Sequence, residues 1–173
     1  MKTDDPKILF MHGLDSSRES LKFNALHSPH KVCITVDYRN LNFQAVESFY
    51  CEIIEKIQPN ILVGHGLGGY WALKMSLKFQ LPAVIANPSL RPTFSHQYPP
   101  ITEDDLQHDI AQMAYLELGD EILDMHQTLD VLESYMPIIS IDGGRHQLEF
   151  PERLNELIQQ IYLQIDALAG SYK

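Results

Sequence analysis

Cysteine is scarce in this chain, with Cys33 and Cys51 the two among 173 residues. Two thiols spaced like this read as small buried hydrophobes, not as a disulfide framework or a metal-binding Cys pair. Basic charge is also in short supply, 13 Lys plus Arg against 23 Asp plus Glu, for a formal charge of -10. A field of that sign repels phosphate backbones, so nucleic acid is excluded as an expected partner. No apolar run approaches the length of a membrane span. Residues 1–14 carry Asp4 and Asp5 and only a short apolar stretch, so no signal peptide is expected and the cytoplasm is the expected compartment. The eight histidines include no His-x-His and no H-E-x-x-H, so neither a metal nor any other cofactor is expected.

The residues that are present alternate between short apolar runs and longer segments of helical period. Strands are predicted at 8–11, 32–37, 60–63, 83–86, 114–118 and 138–141, and helices at 17–26, 43–57, 69–79, 121–135 and 151–168. Apolar runs without alternation belong to strands covered on both faces, which is the signature of a parallel sheet between two helical layers. The expectation is an α/β fold of three layers, one domain over 1–173, with about six mostly parallel strands. The stretch 88–112, with Pro88, Pro92, Pro99 and Pro100 ahead of Glu103, Asp104 and Asp105, is too long for an idle connection and is expected to act as a lid.

The chemistry-bearing segment is Gly64-His65-Gly66-Leu67-Gly68-Gly69, a glycine-rich turn between a strand and a helix. Two chemistries use such a turn. In the nucleophile elbow, G-x-S-x-G, flanking glycines let a strained turn lift a serine above the sheet, and here Gly66 stands in the serine slot. In the dinucleotide fingerprint, G-x-G-x-x-G, the glycines are Gly64, Gly66 and Gly69. Against the second, the fingerprint sits on the third strand, and the following strand ends Ala86-Asn87-Pro88 with no carboxylate for a ribose. The first strand ends His12-Gly13-Leu14, a strand-to-loop junction suited to presenting a backbone N–H to an oxyanion.

Asp120 follows the fifth strand and His146 the sixth, both at carboxyl ends of strands, where open α/β sheets assemble their sites. The order of glycine-rich turn, Asp, His is that of the triad in α/β-hydrolases. Asp124 is the competing carboxylate, better placed as a helix first-turn residue. Ser16 and Ser17 are expected to cap the following helix.

His12-Gly13-Leu14-Asp15-Ser16-Ser17, Leu67-Gly68-Gly69-Tyr70, Leu81-Pro82-Ala83-Val84, Asn87-Pro88, Arg91-Pro92, Gly119-Asp120-Glu121 and Gly143-Gly144-Arg145-His146 together resemble the YqiA/YcfP group of small bacterial esterases in the α/β-hydrolase superfamily. The resemblance implies a serine hydrolase acting on a small-molecule acyl ester or thioester. It implies Asp120 and His146 as triad partners, Leu14 and Leu67 as the oxyanion N–H donors, and His12, His65, Asn87 and Arg91 around the substrate. For His65 a structural role stands beside the ligand role. The chain departs from the group at Gly66, where its members have Ser. An esterase-type site without its nucleophile, a binding protein that keeps the pocket, and a dinucleotide binder are therefore the three functional classes in view. A fluorophosphonate probe, which needs an activated serine, is expected to leave the chain unlabelled; a labelled peptide containing Ser16 or Ser17 would relocate the nucleophile.

Overall fold

The computed structural model describes residues 5–170, so Asp4 and both ends of the expected 1–173 domain lie outside the described residues. Six strands form one parallel sheet: β1 Ile8–Met11, β2 Lys31–Cys33, β3 Ile61–His65, β4 Ala83–Ala86, β5 Gln112–Glu117 and β6 Ile138–Ile141. Their order across the sheet is β2-β1-β3-β4-β5-β6. Every neighbouring pair is parallel, with Leu9 opposite both Val32 and Leu62. The chain steps to one side of β1 to build β2 and to the other to build β3. This reversal opens a crevice above the carboxyl ends of β1 and β3.

The helices are α1 Leu21–Asn24, α2 Phe43–Ile57, α3 Leu67–Phe79, α4 Glu103–Leu106, α5 Met125–Leu132 and α6 Leu154–Gly170. Strand residues alternate between two cores, as the two-residue period of a strand dictates. Leu9, Met11, Leu62, Ile85, Ala114 and Leu116 face α2, α3 and α5. Ile8, Phe10, Val63, Val84 and Tyr115 face the other way, against α6 through Leu154, Leu157, Ile158 and Ile161. α2 buries Val46, Tyr50 and Ile54, a four-residue period that puts all three on one side. It starts where Asn42 accepts the Ala45 N–H and ends at Gln58 in a left-handed conformation. α3 is buried on nearly all sides, and Trp71 is fully enclosed.

Several boundaries differ from the sequence expectation by a few residues, and those of β2, α1 and α5 differ for an identifiable local reason. β2 stops at Cys33 because Val36 gives its N–H to the His12 ring and not to a strand backbone. α1 is a single turn capped by Ser20, whose side chain accepts the Lys22 N–H, so the cap is neither Ser16 nor Ser17. α5 starts only at Met125, after Asp124 caps it, because the preceding turn is wrapped around the Asp120 carboxylate. The 88–112 segment contains α4 and is pinned along α3: Tyr70 donates to the Pro99 carbonyl at 2.7 Å, and Lys74 meets Asp105 at 3.1 Å. Tyr98 fills the space between Phe43, Tyr70, Trp71 and Phe94.

Candidate functional site

The crevice above β1 and β3 is where the residues singled out in the sequence converge. The β3–α3 turn passes through Gly66 at φ 58° and ψ -123°, a backbone state that side-chain-bearing residues hold only under strain. The turn is this tight because α3 sits directly on the strands. A Cβ on Gly68 would collide with the Met11 carbonyl, and one on Gly64 would collide with the Gly68 backbone. That packing accounts for the glycine spacing without a bound dinucleotide. At Gly66 itself there is room: a Cβ would lie 3.5 Å from His146 Nε2, 3.6 Å from its Cε1 and 3.7 Å from Gly13 Cα, all ordinary contact distances.

His146 Nδ1 lies 2.7 Å from Asp120 Oδ2. A carboxylate only accepts, so Nδ1 carries the proton and the Nε2 lone pair faces Gly66. The Asp120 carboxylate is fully enclosed, while the His146 side chain keeps 14% of its surface exposed. Burial works against ionisation of Asp120, but the N–H of Leu123, His146 and the N–H of Ile122 outweigh it and hold the carboxyl below its ordinary range. Asp124, the competing carboxylate, is occupied at the α5 N-cap, accepting the Gln127 N–H.

Of the four side chains expected around a substrate, three are taken up inside the protein. His12 is fully buried; its Nδ1 donates to the Gly13 carbonyl at 2.7 Å and its Nε2 accepts from Val36 N–H at 2.8 Å, leaving no ring nitrogen for a ligand. Asn87, also fully buried, donates to Asp120 Oδ2 and the Glu117 carbonyl and accepts the Glu117 N–H, so it orients the carboxylate. His65 donates from Nε2 to the His146 carbonyl at 2.6 Å, and its ring lies 5.0 Å from that of His146. Its Nδ1 is buried with no hydrogen-bond partner. Burial, reinforced by Lys22 and His146 nearby, pushes the His65 ring down to about 3. Arg91 is the exposed member, on a cleft of about 160 Å³ between residues 88–91 and the face of α5 bearing Gln127 and Thr128. Ser89 in that cleft donates its N–H to the Gly66 carbonyl at 3.0 Å, which sets the cleft beside the turn. Leu67 opens α3, where first-turn N–H groups have no intrahelical partner, and Leu14 follows Gly13 on the β1 loop across from it.

The residue that sequence reasoning missed is Glu117. Its side chain is fully buried at the end of β5. Oε1 accepts the N–H groups of Arg145 at 3.0 Å and Glu149 at 2.6 Å; Oε2 accepts Phe150 N–H at 3.0 Å and the Tyr115 hydroxyl at 2.9 Å. One carboxylate thus ties down both sides of the loop that carries His146. Glu121 adds a bond to the His146 N–H, and Lys22, itself buried, reaches Gln147 at 2.6 Å. The available signal was a lone Glu inside the apolar run 114–118, a residue type that is rarely enclosed unless partnered. Among the described residues no group of three His, Cys, Asp or Glu is arranged to hold a metal ion, and no helix is long and apolar enough to cross a membrane.

A family model described as "Uncharacterised protein family (UPF0227)" matches residues 7–117. A UPF0227 protein of Vibrio cholerae serotype O1 is 26% identical over 157 residues, covering 83% of this chain and 82% of the relative. Among solved structures, MGS-MChE2, an alpha/beta hydrolase from a lagoon-sediment metagenome at Mar Chica, Morocco, superposes with a TM-score of 0.74 at 16% identity, covering 95% of this chain and 94% of that one. The carboxylesterase CesB (YbfK) of Bacillus subtilis gives a TM-score of 0.69 at 12% identity, covering 92% and 84%. At these identities the likeness establishes the fold, which is the α/β-hydrolase fold expected from the sequence.

Two outcomes follow from this geometry. Glu117→Gln replaces two acceptor oxygens with one acceptor and one donor facing N–H groups, and the expected cost is about 1–3 kcal/mol in chemical denaturation, with faster amide exchange over residues 145–150. The second concerns pH. Because His65 is held neutral down to about 3 while an unfolded histidine titrates near 6.5, the unfolded chain binds a proton that the folded chain refuses between those values. Stability is complete above about pH 6.5 and falls by roughly 1 kcal/mol per unit as pH drops below it. His12, also lowered by burial, acts in the same direction. Denaturation midpoints between neutral and mildly acid pH check this, and His65→Gln should flatten the profile.

Proposed function

The chain belongs to the UPF0227 family, and we propose that its site is that of an acyl-ester hydrolase in which Asp120 and His146 activate a water because residue 66 brings no hydroxyl of its own. One observation carries the reading: the Cβ position of Gly66 lies 3.5 Å from His146 Nε2, the nitrogen left basic by the bond from Nδ1 to Asp120. A hydroxyl one bond beyond that carbon is within reach of Nε2, as the hydroxyl of an elbow nucleophile must be to surrender its proton. The relation of turn, base and orienting carboxylate is independent of whether residue 66 carries a side chain.

In this reading His146 Nε2 takes a proton from water as the oxygen attacks the acyl carbon, and Asp120 holds the tautomer and stabilises the imidazolium. The N–H groups of Leu67 and Leu14 receive the developing oxyanion, Leu67 adding the positive end of α3. His146 then returns the proton to the leaving alcohol or thiol. Without a covalent intermediate the acceleration is on the order of 10³–10⁴ over water, the level that oxyanion stabilisation and positioning supply alone. A second reading, a binding protein for acyl esters that releases them unchanged, is favoured by the glycine itself, since the nucleophile is the one part missing. Equilibrium binding without turnover would support it.

The decisive substitution is Gly66→Ser. Hydrolysis of a short-chain p-nitrophenyl ester should rise by roughly 10³ or more, while stability falls by about 1–3 kcal/mol because serine must adopt the positive φ that glycine holds freely. Adding His146→Ala or Asp120→Asn should remove most of the gain. A folded Gly66→Ser variant no faster than its parent across short and long acyl esters would hand the site to the binding reading.

A further inference from the structure

We propose that the cleft between residues 88–91 and α5 receives a carboxylate carried by the ester, and that Arg91 is the residue that selects it. The inference rests on the reading of the neighbouring crevice as an acyl-ester site. Both walls of the cleft grow out of that site. On one wall Ser89 donates its N–H to the Gly66 carbonyl at 3.0 Å. On the other, Leu123 donates its N–H to Asp120 Oδ1 at 2.8 Å. The cleft, of about 160 Å³, therefore begins beside the turn and the carboxylate and runs along α5 past Gln127 and Thr128. A substrate centred on the turn can lay one of its ends there.

Three observations make Arg91 the group that meets that end. Its backbone is fixed on both sides, because the Leu90 carbonyl accepts the Ile101 N–H at 2.8 Å and Pro92 is buried, so the side chain starts from a rigid segment. Its guanidinium is unengaged: among the described residues no carboxylate lies within ion-pair distance of it and no acceptor bonds to it, in a chain with 23 Asp plus Glu. Arg39, by contrast, is locked to Asp15 by two bonds of 2.6 and 2.7 Å. The acid that shares the cleft with Arg91, Asp124, is committed elsewhere, its Oδ1 accepting the Gln127 N–H at 3.0 Å at the start of α5. A guanidinium presents paired donors in one plane, which suits the two oxygens of a carboxylate. Asp124 also favours a carboxylate over a phosphate, since repulsion from its own charge grows with the charge of the ligand.

The test titrates two charged esters into the isotope-labelled full chain, each beside its neutral methyl ester. Monomethyl adipate carries its carboxylate on the acyl side, and para-acetoxybenzoate carries it on the alcohol side. The backbone amides of Ser89 and Gln127 should shift with at least one charged ester, at a concentration about tenfold below that needed for its neutral match, and Arg91→Gln should remove the difference. Because no bond of the fold uses the guanidinium, this variant should unfold at the same denaturant concentration as the parent. Arg91→Lys, a charge without the planar fork, should keep only part of the preference. In Gly66→Ser the preferred charged ester should be hydrolysed with a kcat/KM about tenfold above its neutral match, a ratio that shrinks as salt is raised and collapses on adding Arg91→Gln. Equal binding of charged and neutral esters, or a preference that survives Arg91→Gln, would overturn the assignment. Hydrolysis by Gly66→Ser without charge preference would do so too, while leaving the ester-site reading standing. Arg91-dependent binding beside a folded but inactive Gly66→Ser variant would uphold the charged ligand and overturn hydrolysis.

Discussion

The arrangement above the sheet depends on one enclosed carboxylate, that of Glu117. Loops rich in glycine have many conformations to lose, and the segment running through Gly143 and Gly144 to His146 would by itself be a poor place to hold an imidazole in register with the Asp120 carboxylate. Three backbone N–H groups and a tyrosine hydroxyl converging on Glu117 remove that freedom. A buried anion without partners would be strongly destabilising, so the loop and the carboxylate enforce each other: neither is tenable in its place without the other. Because Glu117 ends β5, the rigidity of the central sheet passes directly to the histidine.

A similar economy governs Asp120. Its two oxygens are fully subscribed, one by the turn N–H groups of Ile122 and Leu123, the other by Asn87 and His146. Asn87 lies at the carboxyl end of β4 and Glu117 at that of β5, and they exchange hydrogen bonds through the Glu117 backbone. Neighbouring strands of the sheet are thus cross-tied just below the place where the carboxylate and the imidazole meet. Most polar groups of this region are spent on one another, and His65, though adjacent, serves by donating from Nε2 to the His146 carbonyl while its Nδ1 stays without a partner.

The sheet was legible in the sequence where burial on both faces left an unbroken apolar run, as in β1 and β4, and β6 also falls on the residues expected although it is only half-buried and interrupted by Ser140. Helix ends were less legible, because they are set by which side chain captures a backbone N–H. Ser20 took that role from Ser16 and Ser17, and the Asp120 turn delayed α5 to Asp124. In the crevice, the chain order of turn, Asp and His was visible as spacing, and the structure brings Gly66, Asp120 and His146 together. What spacing could not reveal is which neighbours face inward. His12 and Asn87 sit in motifs beside the crevice, yet their side chains point into the protein, and Glu117 looked like one charge in an apolar strand until its partners, about thirty residues away in sequence, were in place.

The close seating of α3 on β1 has a consequence for how position 66 can change over time. Because the Gly68 backbone rests against the Met11 carbonyl, the turn is shaped from beneath, by neighbours, and a Cβ at its tip would meet its surroundings only at ordinary contact distances. Position 66 is in this sense a socket decoupled from its mounting. Exchange of a serine for a glycine there relieves local strain without rearranging its surroundings, and the stability released can be drawn on by substitutions elsewhere in the chain. A chain with glycine at this place keeps the scaffold that a serine would occupy, and the two differ by a single residue.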